Sequence, residues 1–186
     1  MNINFVTANT LKYDIAKAYF EPLGKDFTLK QYAINAPEWQ DTSVSVIAEQ
    51  SALWAAQQIG EPCITSDAGL YIETLGGFPG PFVKYVNDWL GQEGYLRLLA
   101  GQENRRAYFE GALSIAFPGG RVKTFTSRNY GTLASSASSI GTTWAANALF
   151  IPDGYTQTLG SMTNDEQVAY WGDGSWPDVV AYLREQ

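Results

Sequence analysis

A short apolar run, Ile3 to Thr7, gives way at Ala8-Asn9-Thr10 to a stretch with Leu11, Ile15, Ala18, Tyr19 and Phe20 at helical spacing, and then to an alternating run, Phe27 to Ala33. Strand, tight turn, helix and strand in that order commit the chain to sheet and helix packed together. Pro22 and Gly24 stop the first helix. Ser43 to Ile59 reads as a second helix, with Val44, Ile47, Ala48, Ser51, Ala52, Ala55 and Ile59 on one stripe, Ser43 as its cap and Gly60 as its stop. Pro62 to Ser66 and Leu70 to Thr74 read as two short strands interrupted by Asp67-Ala68-Gly69. The glycine-proline loop Gly76 to Pro81 then leads into a helix near Val83 to Leu90. A further helix, Glu93 to Ala100, precedes a hairpin of Ala107 to Phe117 and Val122 to Leu133 turned at Pro118-Gly119-Gly120. The serine-rich stretch Ala134 to Ser139 reads as a loop, Ala148 to Ile151 as a short strand, Pro152-Asp153-Gly154 as a turn, and Asp178 to Arg184 as a terminal helix. The predicted fold class is α/β, a mixed central sheet flanked by helices.

The 186 residues, 45% hydrophobic and 14% aromatic, suffice for one domain with a packed core, so residues 1–186 are expected to form a single unit. Acidic residues outnumber basic ones, 19 to 12, and a net charge of −7 argues against a nucleic-acid-binding surface. Any phosphate bound is expected to belong to a small ligand. The start of the chain lacks the pattern of a secretion signal, and no apolar run is long enough to cross a bilayer, so a cytoplasmic location is the expectation. Histidine is absent, which removes Ser-His and Cys-His catalysis and the commonest zinc ligand. Chemistry must rest on carboxylates, Lys, Arg, Tyr or a metal. The one cysteine, Cys63, reads as a buried strand residue, not a nucleophile.

Four places have the residue types for such chemistry. The turn Thr7-Ala8-Asn9-Thr10-Leu11-Lys12 joins a strand to a helix, where free N–H groups and the positive end of the helix dipole suit an anion, and Lys12 adds a charge. Asp67, followed by Ala68-Gly69 at the expected strand break, either holds a divalent ion or forms the turn by capping its own backbone. Glu38, between a strand and a helix, could turn its carboxylate toward Asp67. Magnesium takes oxygen ligands and bridges a few carboxylates to substrate phosphates, so this small set is sufficient. The loop Gly76 to Lys84 is either a structural corner or the mouth of a pocket with Lys84 turned inward.

In this order the segments resemble the inosine triphosphate pyrophosphatase family. The likeness rests on Phe5-Val6-Thr7-Ala8-Asn9 with Lys12, Pro37-Glu38-Trp39-Gln40, Asp67-Ala68-Gly69-Leu70, Leu75 to Lys84, Leu98-Leu99-Ala100-Gly101 and Phe150 to Tyr155. The resemblance implies an elongated mixed sheet flanked by helices, two lobes with a cleft between them, a homodimer, and Mg2+-dependent hydrolysis of a nucleoside triphosphate to monophosphate and pyrophosphate. It implies that Lys12, Thr7 and Asn9 hold the triphosphate, Glu38 and Asp67 bind magnesium, Asp67 positions or activates the attacking water, and Lys84 supports the phosphate end.

The chain departs from that family in the half that reads the base. Ser66-Asp67 stands where the family has two adjacent acids, and Trp144-Ala145-Ala146-Asn147-Ala148 where it has an aromatic-glycine-aromatic-Asp-Pro segment. Trp144 can still stack and Asn147 can still hydrogen-bond, although an amide donates as well as accepts. Gln167 and Trp171-Gly172-Asp173 replace a lysine and a Ser-His-Arg triplet, and the stretch Ser135 to Ser139 replaces an arginine-containing loop. Losing donors to a keto group predicts altered base specificity. Trp144, Trp171 and Trp176 are either core residues or the walls of a rebuilt aromatic pocket. The competing reading is a non-catalytic nucleotide-binding or interaction protein that keeps the fold.

Overall fold

The computed structural model describes residues 1–24, 26–34, 36–136, 144–172 and 174–186. Its strands are β1 (Asn2–Val6), β2 (Thr28–Tyr32), β3 (Cys63–Ile72), β4 (Pro79–Gly80), β5 (Arg106–Ala116), β6 (Val122–Leu133) and β7 (Phe150–Pro152). Its helices are α1 (Thr10–Phe20), α2 (Val44–Ile59), α3 (Val83–Leu98), α4 (Asn164–Gly172) and α5 (Trp176–Arg184). The described strands form one seven-stranded sheet in the order β2-β1-β3-β5-β6-β7, with β4 on β3. β1 pairs in parallel with β2 and β3, whereas β4 runs antiparallel to β3 and β7 antiparallel to β6. The sheet is mixed, as the strand and helix signals predict.

Helix ends follow the local chemistry. The Ser43 side chain accepts the Val46 N–H at the start of α2, and Gly60 ends the helix at φ 75°. α3 is broken at Gly91, with φ 57° and ψ −170°, where the sequence separates two helices. α4 is not among the helices expected from the sequence, yet its signal is present. Thr163 Oγ1 accepts the Glu166 N–H at 3.3 Å, and Glu166 Oε2 accepts the Thr163 N–H at 2.7 Å, a reciprocal capping box. Thr163→Ala is expected to lower stability by about 1 kcal/mol in urea denaturation. An unchanged midpoint would remove the cap from the account.

One expectation needs correction. β3 is a single strand of ten residues, not two strands broken at Asp67-Ala68-Gly69. Gly69 serves close approach, not a turn: a Cβ there would lie 2.8 Å from the Gly80 carbonyl carbon and oxygen and 2.9 Å from Pro81 N. β4 pairs beside it, Leu70 with Gly80 and Tyr71 with Pro79. Asp67 therefore lies within a continuous strand, not at its end.

The residues group into two compact units, Met1–Asp67, Gly111–Ser127 and Val168–Gln186 in the first, Ala68–Glu110 and Arg128–Gln167 in the second. In the first, Ile3, Phe5, Ile64 and Ile115 of the sheet pack with Ile15, Ala16 and Phe20 of α1 and Trp176, Val179 and Leu183 of α5. The Trp176 ring meets Phe5 edge-on at 5.3 Å. Trp171 also lies against this core, so these two tryptophans are core residues. Ala52, Ala55 and Ala56 of α2 cover Cys63 and Ala116. Burial, reinforced by Glu61, pushes the Cys63 thiol up to about 12, which leaves it inert as the sequence predicts. In the second unit Phe109 and Phe150 meet edge-on at 4.9 Å, and the Arg105 guanidinium donates to the carbonyls of Leu99, Leu133 and Ala134. Among the described residues no helix is long and apolar enough to cross a membrane.

Candidate active site

The turn between β1 and α1 is built by its own side chains. Thr7 Oγ1 accepts the Asn9 N–H at 3.1 Å, and Asn9 Oδ1 caps the helix by accepting the Lys12 N–H at 3.2 Å. Both oxygens act as acceptors inside the turn, which leaves the Thr7 O–H and the Asn9 amide N–H groups as donors. Helix geometry gives the Thr10 and Leu11 N–H groups no partner within α1. The result is a set of donors at the positive end of a helix dipole, suited to an anion.

β3 brings Ser66 and Asp67 to this turn. β1 and β3 pair in parallel at Asn4 with Cys63 and Phe5 with Ile64, just before the turn on one strand and Ser66 on the other. Cys63 packs on α2, Ile64 packs with α1 and α5, and the Thr65 hydroxyl donates to Ala48 O of α2 at 2.6 Å. Strand alternation continues this, with Ser66 on the face shared with Ile64. Lys12 reaches from α1 to donate its Nζ to Ser66 O at 3.3 Å.

Asp67 lies near enough to Lys12 to act on its charge. Burial lowers the Lys12 pKa below the ordinary 10.5, and the neighbouring Asp67 carboxylate opposes that shift. The sign of the pH dependence follows. As pH rises through the lowered value the ammonium is lost in the folded chain, so affinity for a polyphosphate is expected to fall at a pH below 10.5. Over the same interval the unfolded chain holds more protons, so this group's contribution to stability rises with pH. Binding of tripolyphosphate and thermal melts across alkaline pH, for wild type and Lys12→Met, check both directions; an alkaline limb unchanged in Lys12→Met would contradict the assignment.

Glu38 is exposed in the irregular connection that runs from β2 to α2. Among the described residues no group of three or more His, Cys, Asp and Glu side chains forms a metal cage. Thr7, Asn9, Lys12, Glu38 and Asp67 all belong to the first unit; Lys84, Trp144 and Asn147 belong to the second. Lys84 is exposed in the first turn of α3, its Nζ 5.8 Å from the Tyr85 ring centroid. Trp144 is 38% exposed, and Asn147, half-buried, accepts the Gly160 N–H on its backbone carbonyl at 2.8 Å.

Asn87 is a residue the sequence reading passes over. It is buried on α3, where its Oδ1 accepts the Ala146 N–H at 3.0 Å and so ties the Trp144 to Leu149 turn to the helix. The available signal was an amide among the buried positions Val83, Val86 and Asn87 of one helix face. Of the replaced base-reading segments, Gln167 donates its side-chain amide to Met162 O. Asp173 and the Ala137 to Ser139 part of the serine-rich stretch lie outside the described residues.

Comparison with known proteins gives a consistent result. A sequence model of the Ham1 family matches residues 3–170. The chain is 37% identical over 167 residues to a dITP/XTP pyrophosphatase of Thermococcus kodakarensis, covering 90% of this chain and 88% of that one. It is 36% identical over 167 residues to a dITP/XTP pyrophosphatase of Methanopyrus kandleri, covering 90% and 87%. The solved structure of a HAM1 protein from Coxiella burnetii superimposes with a TM-score of 0.84 over 100% of both chains at 17% identity.

Proposed function

We propose, for a chain that belongs to the Ham1 family, that it is a nucleoside triphosphate pyrophosphatase, a hydrolase that cleaves the triphosphate to nucleoside monophosphate and pyrophosphate. The single observation that carries this reading is that Lys12, at the donor-rich start of α1, donates to Ser66 O on the strand that carries Asp67. An ammonium and helix N–H groups neutralise the charge that gathers on phosphoryl oxygens, and a carboxylate beside them can orient the attacking water.

In this reading the Thr7 hydroxyl, the Asn9 amide and Lys12 hold the triphosphate. Asp67 positions the water and accepts its proton as the bond to the leaving pyrophosphate breaks. Lys84 supports the phosphate end, and Trp144 and Asn147 meet the base. The donor set fits magnesium that arrives with the nucleotide, since that ion needs one or two carboxylates plus substrate phosphates and not an all-protein cage. Asp67 and Glu38 would hold it, and when bound it neutralises phosphoryl charge. A homodimer, a cytoplasmic location and a single domain over residues 1–186 belong to the same proposal.

Base preference is proposed to have moved away from hypoxanthine and xanthine. Asn147 both donates and accepts, and Gln167 spends its amide on Met162 O, so a keto group at the base edge finds neutral partners. Turnover across natural and deaminated nucleoside triphosphates tests this. The expected result is a preference for dITP or XTP over ATP and GTP of less than about 10⁴-fold, the discrimination that fully paired hydrogen bonds support. A preference at or beyond that ceiling would show that base reading is intact.

A further inference from the structure

We propose that Ser66 is a phosphate-binding residue, its hydroxyl donating to a phosphoryl oxygen held at the start of α1; this rests on the reading of the site as a triphosphate site. The first observation is that Ser66 Oγ is shielded from solvent and has no hydrogen-bond partner among the described residues. A buried hydroxyl without a partner destabilises the chain unless a ligand completes it. The preceding strand position shows the ordinary solution, since the Thr65 hydroxyl donates to Ala48 O at 2.6 Å.

Position supplies the second observation. Ser66 lies on the face of β3 shared with Ile64, which packs with Ile15 and Ala16 of α1, and it follows by two residues the pairing of Ile64 with Phe5 of β1. Third, Lys12 Nζ donates to the carbonyl of this same residue, so the lysine side chain lies against Ser66. When a polyphosphate draws the ammonium outward, the hydroxyl beneath it becomes reachable. Electrostatics favours a hydroxyl here: a neutral donor can meet a phosphate directly, whereas a carboxylate has no proton to give at neutral pH and repels the anion.

Inorganic tripolyphosphate, titrated by calorimetry with a chelator present, separates this contact from any metal and from the base. Ser66→Ala is expected to weaken binding by about tenfold or more, the loss usual for a hydrogen bond to a charged group. Ser66→Asp is expected to weaken it further. Thermal stability of unliganded Ser66→Ala should equal or exceed that of wild type, because the variant removes a buried unpaired hydroxyl; a purely structural role would lower it. Ser66→Cys, close in volume and a poor donor, gives the same loss of affinity where the alanine variant folds badly. Wild-type protein that hydrolyses nucleoside triphosphates, with Ser66→Ala binding tripolyphosphate as tightly as wild type, overturns the Ser66 assignment alone. Wild-type protein that neither hydrolyses any nucleoside triphosphate nor binds tripolyphosphate overturns both readings.

Discussion

Asp67→Asn is expected to reduce turnover of nucleoside triphosphates by about 10³-fold, the usual scale for removing a positioned general base. The substitution is nearly isosteric, and the carboxylate lies near enough to the Lys12 ammonium to act on its charge. Melting temperature should therefore change little. A second signature separates this role from simple misfolding. Asp67 is the group that raises the Lys12 pKa against burial, so its neutralisation should lower that pKa further and move the alkaline loss of polyphosphate affinity to lower pH. Full turnover in Asp67→Asn would remove the carboxylate from the mechanism, whatever happened to the pH profile.

The largest expected effect on stability is that of Gly69→Ala. The added methyl would meet backbone on one side, at 2.8 Å from Gly80 C and O and 2.9 Å from Pro81 N, and backbone cannot rotate away as a side chain can. Relief requires β4 to part from β3 at Leu70 and Tyr71. The cost is expected to be about 3 kcal/mol or more, read as a lower urea midpoint. A midpoint within error of wild type would mean that Gly69 is not held against Gly80 in solution.

These two positions also mark what sequence could and could not convey. Several helix boundaries were legible because each has a chemical cause in its own residues: Ser43 and Gly60 around α2, and Pro22 and Gly24 after α1, while the gap between two expected helices falls at Gly91 of α3. The continuity of β3 was not. Glycine allows both a sharp turn and a close backbone approach, and only the partner strand, β4, decides between them. α4 was missed although Thr163 and Glu166 carry the capping signal, since its apolar spacing is weak.

Within the site, the turn from Thr7 to Lys12 was legible as a strand-to-helix junction with a cation in the first turn. Its nearness to Asp67 was expected from the family resemblance and not from local pattern, because it depends on β1 lying beside β3 in parallel, a long-range pairing. Ser66 was legible only as a departure from the paired acids of the family, and its hydroxyl gains a role only through its place beside Lys12. Asn87 was hidden for a related reason: its amide matters through Ala146, far along the chain.

The most direct test of the central claim is to identify the products. Incubation of the protein with Mg2+ and dITP or XTP, followed by phosphorus-31 NMR, should show pyrophosphate and nucleoside monophosphate appearing in equal amounts. Orthophosphate and nucleoside diphosphate as the products, or an untouched triphosphate across the whole nucleotide panel, would contradict it.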